Sequence, residues 1–331
     1  MTVSRAVALA AIVFGALALG LLVGGTTIAP AALAHALFHP RDGGDVGTIV
    51  WALRLPRIAI GAFVGAALAV SGFLLQGMLR NPLVDPFLTG VSAGAGAAIA
   101  IGVALGAASV ALPAIGFVAG LATAFLVAAL ARRGSGLDAE RLILAGVSLS
   151  ALFSAIVALA LTHLAAGNSA EVLAWLAGSL AGRGWTELAW TAPYLVVGFA
   201  LAALVVPALG TLRAGNDVAR ALGVDLPRVQ WLILAASTLL AAAAVTLSGI
   251  VGFVGLVVPH LARRLVGSDP RWALPASAAL GSALVVVADA ASRALFPPTE
   301  IPLGVLLAIV GVPAFLYLYL RPSGAARLWG T

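Results

Sequence analysis

The sequence predicts an all-α integral membrane protein of about ten transmembrane helices, with both termini in the cytoplasm. Of the 331 residues, 62% are hydrophobic and only 9% are charged, whereas a soluble domain carries about 25% charged residues. The apolar residues form runs long enough to cross a bilayer, which takes about 20 residues per helix. The positive charges are unevenly distributed between those runs. Because so few charged residues cannot cover the surface of a protein in water, we expect lipid to surround the chain.

Ten spans follow from marking apolar runs between charges and splitting the longer runs at Gly/Pro turns. The run 86–131 is long enough for two spans that turn near Ser109 to Pro113, and the run 229–262 holds two that are divided near Ser248-Gly249. The predicted spans are residues 6–28, 58–79, 90–107, 112–131, 142–164, 189–212, the two within 229–262, 273–295 and 301–320.

The arginines orient these spans. If both termini are cytoplasmic, 13 arginines lie inside and 5 outside, as the positive-inside rule requires. The inner arginines are Arg5, Arg80, Arg132, Arg133, Arg141, Arg213, Arg220, Arg228, Arg263, Arg264, Arg271, Arg321 and Arg327. The outer ones are Arg41, Arg54, Arg57, Arg183 and Arg293. Since the net charge of +6 is spread between spans, it indicates topology rather than a nucleic-acid partner.

Residue types that the sequence lacks exclude some chemistry. Without Cys there is no disulfide, thiolate metal ligand or iron–sulfur site. Without Lys there is no Walker A loop, so any ATP hydrolysis must take place on a separate chain. The 38 glycines recur at helical spacing within spans, as in Gly61 and Gly65, and such stripes predict close helix packing.

Nine segments in order resemble the permease family of ABC importers for iron chelates and cobalamin, and the resemblance covers almost the whole chain. The segments are Arg54-Leu55-Pro56-Arg57, Gly65 to Gly72 with Gln76, Arg80-Asn81-Pro82-Leu83-Val84-Asp85-Pro86, Gly90-Val91-Ser92-Ala93-Gly94-Ala95, Trp175-Leu176-Ala177-Gly178-Ser179-Leu180, Ala219-Arg220-Ala221-Leu222-Gly223-Val224, Gly252-Phe253-Val254-Gly255 to Pro259-His260, Ala288-Asp289 and Glu300-Ile301-Pro302-Leu303-Gly304.

The resemblance implies the type II ABC importer permease architecture, with residues 1–331 forming one transmembrane permease domain in a bacterial inner membrane. It implies a homodimer, two cytoplasmic ATPase subunits and a periplasmic substrate-binding protein as partners, besides membrane lipid. No cofactor is expected on this chain, because ATP and Mg would bind the ATPase subunit. The expected cargo is a ferric siderophore or haem, with cobalamin as the alternative.

Arg54, Arg57 and Arg293 are candidate docking residues for the binding protein, as the resemblance implies. They lie on the predicted outer face, against the positive-inside bias. Arg forks can engage carboxylates of a partner with two parallel hydrogen bonds. The alternative is that the arginines anchor helix ends at the interface, and Arg293 can pair with Asp289 one turn earlier.

The loop 213–228 is the candidate ATPase-coupling element by the same resemblance. Asp217 is predicted to cap a short helix that Gly223 ends. An ordinary solvated loop is the alternative. The candidate coupling residues are Asp217, Arg220, Ala221, Leu222, Gly223 and Val224.

A candidate cytoplasmic gate lies at the start of the fifth span, where the resemblance places Asp138, Ala139, Glu140 and Ser148. Helix capping by Asp138 explains the same residues equally well.

The sequence shows no metal or catalytic site. The four histidines, His35, His39, His163 and His260, include no pair with metal-site spacing inside a span. Asp289 is the one clear carboxylate within a span, whereas a proton-coupled secondary transporter, the rival hypothesis, would carry several. We therefore expect a transporter subunit rather than an enzyme, moving its cargo by alternating access.

Overall fold

The computed structural model of the protein describes residues 3–24, 26, 28–39, 44–134 and 136–320, apart from the side chains of residues 318 and 319. Three arginines used in the orientation argument, Arg41, Arg321 and Arg327, lie outside the described residues. We keep the charge-based orientation and call the two ends of the helix bundle the outer and the inner end.

Helices account for nearly all of the described chain. They are α1 (Val3–Leu22), α2 (Pro30–Phe38), α3 (Gly44–Thr48), a π-helix (Ile49–Arg54), α4 (Leu55–Leu79), a 3-10 helix (Pro86–Thr89), α5 (Val91–Ala104), a 3-10 helix (Ser109–Ala111), α6 (Leu112–Ala131), α7 (Ala139–His163), α8 (Ala166–Ala177), α9 (Trp185–Leu212), α10 (Asn216–Ala221), α11 (Leu226–Ser248), α12 (Val254–Val266), α13 (Pro270–Ala294) and α14 (Leu303–Leu320). A two-residue hairpin of β1 (Arg132–Arg133) and β2 (Gly136–Leu137) joins α6 to α7.

Each of the ten predicted spans coincides with one of these helices, so the all-α membrane fold is confirmed. In the described part of the chain, seven helices are long and apolar enough to cross a bilayer. The three shorter ones among the ten are α5, α12 and α14. The number of spans and the side on which the termini lie stay predictions.

The second span begins earlier than the sequence predicted. Helix continues from Gly44 through the π-helix to Leu79, because Arg54 and Arg57 find partners inside the protein instead of ending the helix. A hydropathy window treats each arginine as the end of a span. It contains no information about the distant carbonyl and carboxylate groups that accept hydrogen bonds from these arginines in the folded protein.

Helix α4 is the centre of the bundle and is buried along most of its length. It packs against α13 and α12 through positions that admit no side chain. A Cβ on Gly65 would lie 2.0 Å from the carbonyl oxygen of Gly281, and one on Gly72 would lie 2.0 Å from the carbonyl oxygen of Gly255 in α12. The close helix packing predicted from the glycine spacing is therefore confirmed at Gly65.

Candidate functional site

A cavity of about 470 Å³ lies between α12, α14, the end of α8 and the 3-10 helix that follows α4. Its wall is mainly apolar and includes the aromatic side chains of Phe87 and Phe253. Asp85 is the one charged residue that lines it. We call it the central cavity. Its lining residues are Asp85, Phe87, Leu88, Leu176, Ala177, Ile250, Gly252, Phe253, Leu256, Gly304, Val305 and Ala308.

Three glycines lie at the outer end of the central cavity, where the chain enters or leaves three helices. A Cβ on Gly178 would lie 2.4 Å from the carbonyl oxygen of Ile250, one on Gly249 would lie 2.2 Å from that of Trp175, and one on Gly304 would lie 2.3 Å from that of Ile250. Only glycine allows backbones to approach this closely. We call Gly178, Gly249 and Gly304 the glycine junction.

Backbone hydrogen bonds hold the glycine junction together. The N–H of Ser179 donates to the carbonyl of Ser248 at 2.8 Å, and the N–H of Leu303 donates to that of Gly178 at 2.8 Å. These bonds join α8, α11 and α14 without any side chain.

Asp85 stands at the inner side of the central cavity. Its Oδ1 accepts from the N–H of Phe87 at 2.9 Å, which begins the 3-10 helix. Burial raises the pKa of Asp85 to about 6, against the smaller opposing effect of that hydrogen bond. The loop is fixed by Gln76, whose Nε2 donates to the carbonyls of Val84 at 3.2 Å and Gly255 at 3.1 Å.

At the outer end, two carboxylates and three arginines form one group, which we call the outer arginine cluster: Arg54, Arg57, Arg293, Asp289 and Glu300. Arg57 lies 2.8 Å from Asp289 and 2.8 Å from Glu300 through Nη2. Arg293 Nε lies 3.1 Å from Asp289 Oδ2. Arg54 donates to the carbonyls of Leu21 and Thr26 at the end of α1. Three guanidinium groups against two carboxylates leave the cluster with one net positive charge.

These contacts bear on the candidate docking residues. Arg54 and Arg293 are 5% and 7% exposed, and the Arg57 side chain is 15% exposed. The predicted pairing of Arg293 with Asp289 is confirmed. Docking through the three arginines stays a prediction.

Helix α10 projects from the inner end between α9 and α11. The side chain of Arg220 is 67% exposed, and Leu222 and Val218 are 66% and 45% exposed. Ala219 beneath them is fully buried and anchors the helix. An exposed apolar pair beside an arginine suits contact with another protein.

The predicted short helix is present, but the predicted cap is wrong. Gly215, with a positive φ of 112°, is the residue before the helix, so Asp217 falls inside the first turn and pairs with Arg220 at 3.5 Å. Gly223 ends the helix with a φ of 80°, as predicted. The remaining coupling residues, Ala221 and Val224, lie at the end of α10 and just beyond it.

The candidate gate residues begin α7. Asp138 caps the helix by accepting from the N–H of Arg141 at 3.1 Å, and this hydrogen bond is the main cause that lowers the pKa of Asp138. The capping interpretation is therefore confirmed. Ala139 is half-buried, whereas Glu140 and Ser148 are exposed. Their role in a gate stays a prediction.

Among the described residues, no group of three His, Asp or Glu side chains is placed to hold a metal ion. His35 and His39 stack on α2 with ring centroids 4.5 Å apart. His260 is buried and packs edge-on against Phe315. These contacts fit the structural interpretation of the histidines.

Sequence reasoning missed the residues that shape the central cavity. It treated Asp85, Gly178 and Gly304 only as parts of motifs. A signal was present in the motif glycines that precede or follow helices, since a glycine kept at a helix end marks a close backbone approach.

Long apolar helices around a mainly apolar cavity define a multi-pass membrane transport protein. The model of the FecCD transport family matches residues 10–321, and the chain belongs to that family. It is accordingly a permease of the inner membrane rather than an enzyme.

Named relatives cover most of the chain. The cobalamin import system permease protein BtuC of Halobacterium salinarum is 40% identical over 82% of this chain and 73% of its own length. The hemin transport system permease protein HmuU of Yersinia pestis is 37% identical over 81% of this chain and 82% of its own.

A solved structure described as an inward-facing conformation of a metal-chelate type ABC transporter is similar with a TM-score of 0.84 and 30% identity. The similarity covers 95% of this chain and 98% of that one.

Proposed function

We propose that this chain is the membrane-spanning permease subunit of an ATP-driven importer for a metal chelate. The cargo class that we favour is an iron complex, either a ferric siderophore or haem, with a corrinoid such as cobalamin as the alternative. The observation that carries the proposal is the central cavity, which is mainly apolar and is bordered at its outer end by the glycine junction.

The lining of the central cavity suits a bulky amphiphilic chelate better than a bare ion. A bare metal ion needs several oxygen, nitrogen or sulfur ligands, and Asp85 is the one charged side chain in the lining. An aromatic and aliphatic wall instead fits the organic periphery of a chelate, and it holds such a cargo weakly enough to release it.

In the proposed importer, ATP is hydrolysed by a separate ATPase subunit that binds α10. Closure of two such subunits around ATP and Mg would pull on Arg220 and Leu222, which α10 presents outside the bundle. The buried Ala219 and the short connection to α11 would transmit that movement to the spans.

The outer arginine cluster is the proposed docking point for a periplasmic binding protein. Arg57 shares its guanidinium between buried Asp289 and Glu300, whose side chain is 39% exposed. A carboxylate of the binding protein would replace Glu300 on Arg57 and find a site with net positive charge. Exchange of one carboxylate for another leaves the buried pair with Asp289 intact.

The proposed functional unit is a homodimer. Helix α7 is mainly exposed although it is apolar, with Leu144 and Leu152 among its exposed side chains. Helix α14 also exposes Ile309 and Val310. A second copy of the chain would complete the wall of the central cavity beside α14 and enclose the cargo between the two subunits.

Reconstitution tests the proposal. The chain is inserted into liposomes with a candidate ATPase subunit and a candidate binding protein, and uptake of ferric siderophores, haem and cobalamin is measured with and without ATP. We expect uptake of one chelate class that requires ATP and both partners. Accumulation against a gradient by the chain alone would instead establish the rival hypothesis of a secondary transporter.

A further inference from the structure

A second cavity, of about 330 Å³, lies on the outer side of the glycine junction. It is separate from the central cavity, and the segment from Trp175 to Ser179, at the end of α8, lies between the two. We call it the outer pocket. Its lining residues are Ser109, Leu112, Pro113, Glu171, Ala174, Trp175, Ser179, Ala181, Arg183, Ser248 and Gly249.

Arg183 supplies the positive charge of the outer pocket. Its guanidinium makes no hydrogen bond or ion pair with any residue in the described ranges, although Glu187 acts on it at longer range. Burial lowers the pKa of Arg183 and Glu187 partly offsets this effect. Glu187 Oε2 is itself engaged by the N–H of Gly184 at 2.8 Å. Arg183 is therefore a half-buried cation whose five donors are not engaged by the described residues.

Ser179 adds a second donor to the same space. The hydroxyl oxygen of Ser179 accepts from the N–H of Ala181 at 3.0 Å, so its own O–H remains free to donate. The Trp175 ring, Leu112 and Pro113 provide an apolar wall beside these donors.

From these residues we propose that the outer pocket binds the carboxylate group of a small organic anion. A guanidinium and a hydroxyl match the acceptor-only oxygens of a carboxylate. The volume lies in the range of small-molecule sites, and the apolar wall accommodates the carbon atoms attached to the carboxylate. Glu171, exposed at the pocket, disfavours anions that carry more than one negative charge.

The inference goes beyond the proposed function, because binding in the outer pocket requires neither the ATPase subunit nor transport. The chain is purified in lipid nanodiscs, and equilibrium binding of radiolabelled acetate, succinate and citrate is measured at up to millimolar concentration. We expect saturable binding of acetate, and weaker binding of succinate, citrate and inorganic phosphate because these carry more negative charge.

Variants assign the binding to the outer pocket. Arg183→Gln is expected to weaken carboxylate binding at least about 10-fold, with Arg183→Lys intermediate. Glu171→Gln removes the repulsion and is expected to tighten binding of both citrate and phosphate.

Arg228→Gln is the matched control, because it removes an exposed arginine at the inner end and should leave binding unchanged. Absence of saturable binding by all three carboxylates would overturn the proposal, and so would equal affinity in the wild type, Arg183→Gln and Glu171→Gln. Because Glu171 is exposed, its variant preserves the fold and keeps the test valid if Arg183→Gln is unstable. Failure of ATP-driven uptake would leave this result untouched.

Discussion

Arg57 donates two hydrogen bonds to Oδ1 of Asp289, from Nε at 3.0 Å and from Nη2 at 2.8 Å. The two residues are 232 positions apart in the sequence. Asp289 also bonds Arg293, so this one carboxylate holds α4 and α13 together at their outer ends. The carboxylate is 2% exposed, and the energy of such a pair depends on both partners being present.

Loss of the buried carboxylate should therefore be severe. Asp289→Asn leaves Arg57 and Arg293 without their shared counter-charge and is expected to destabilise the fold by about 3–5 kcal/mol. Thermal unfolding of the purified protein in detergent measures this effect. The matched control is Glu300→Gln, which removes the more exposed partner of Arg57 and should cost at most about 1 kcal/mol. Equal losses in the two variants would contradict the burial argument.

The same control variant tests docking. If Glu300 competes with a binding-protein carboxylate for Arg57, Glu300→Gln should tighten docking several-fold by freeing two donors, and the gain should shrink at high salt. Affinity measured between nanodisc-held permease and its binding protein at low and high salt gives the answer. A weaker or unchanged affinity at low salt would remove Arg57 from the docking surface.

The raised pKa of Asp85 predicts a pH dependence of stability. Its value of about 6 in the folded protein lies above the ordinary aspartate value of about 4. The folded state therefore binds a proton more tightly than the unfolded state, and stability falls as the pH rises from about 4 to about 6. Above that window the folded protein carries the full cost of a desolvated carboxylate.

Asp85→Asn should remove this cost while its amide oxygen still accepts from Phe87. We expect stability at pH 7.5 to rise by about 1–2 kcal/mol, with no difference from the wild type near pH 4. Unfolding temperatures across the pH range provide the measurement. Asp269→Asn is the control, since Asp269 is exposed and accepts from Arg271 N–H at the same distance of 2.9 Å. A gain that is the same at every pH would refute the titration of Asp85.

The glycine junction predicts unequal costs for two alanine substitutions. Gly249→Ala places a Cβ 2.2 Å from a backbone oxygen at a positive φ of 67°, and we expect a loss of about 2–4 kcal/mol. Gly106→Ala has a similar φ of 77° but open space around the new Cβ, so it should lose only about 1 kcal/mol. Thermal unfolding of both variants separates steric closure from backbone conformation, and similar losses would show that the junction is not closely packed.

Helix α10 predicts a variant that damages function and spares the fold. Leu222→Glu changes an exposed side chain, so the unfolding temperature should stay within about 2 °C of the wild type. ATP-dependent uptake should fall at least tenfold because the apolar contact with the ATPase subunit is lost. Ala219→Glu, at the fully buried position beneath it, should instead unfold α10. Normal uptake by Leu222→Glu would contradict the coupling role.

The sequence predicted the fold better than the site, for a physical reason. A membrane span is a local property, because about 20 consecutive apolar residues are enough to predict it. The turn at Ser248-Gly249 was placed correctly because it also depends on neighbouring residues alone. The short helix at 216–221 was also foreseen, but its cap was misplaced because the positive φ of Gly215 is not visible in the residue types.

The contacts that build the site join distant parts of the chain. Gly178, Gly249 and Gly304 meet through three separate helix ends, and no periodicity along one segment reports such a meeting. The pocket around Arg183 escaped notice similarly, since Ser109 and Ser248 reach it from other loops. By contrast, Arg293 and Asp289, four residues apart on one helix, formed a pair that spacing alone could predict.

The glycine contacts of α4 restrict how the subunit can change shape. With Gly65 pressed on Gly281 and Gly72 on Gly255, a tilt of α4 alone would drive backbone into backbone. The helices on both sides of α4 must therefore travel with it as one rigid block. Freedom to reshape a passage is left to the helices outside this block, among them α7, whose apolar surface is mostly exposed.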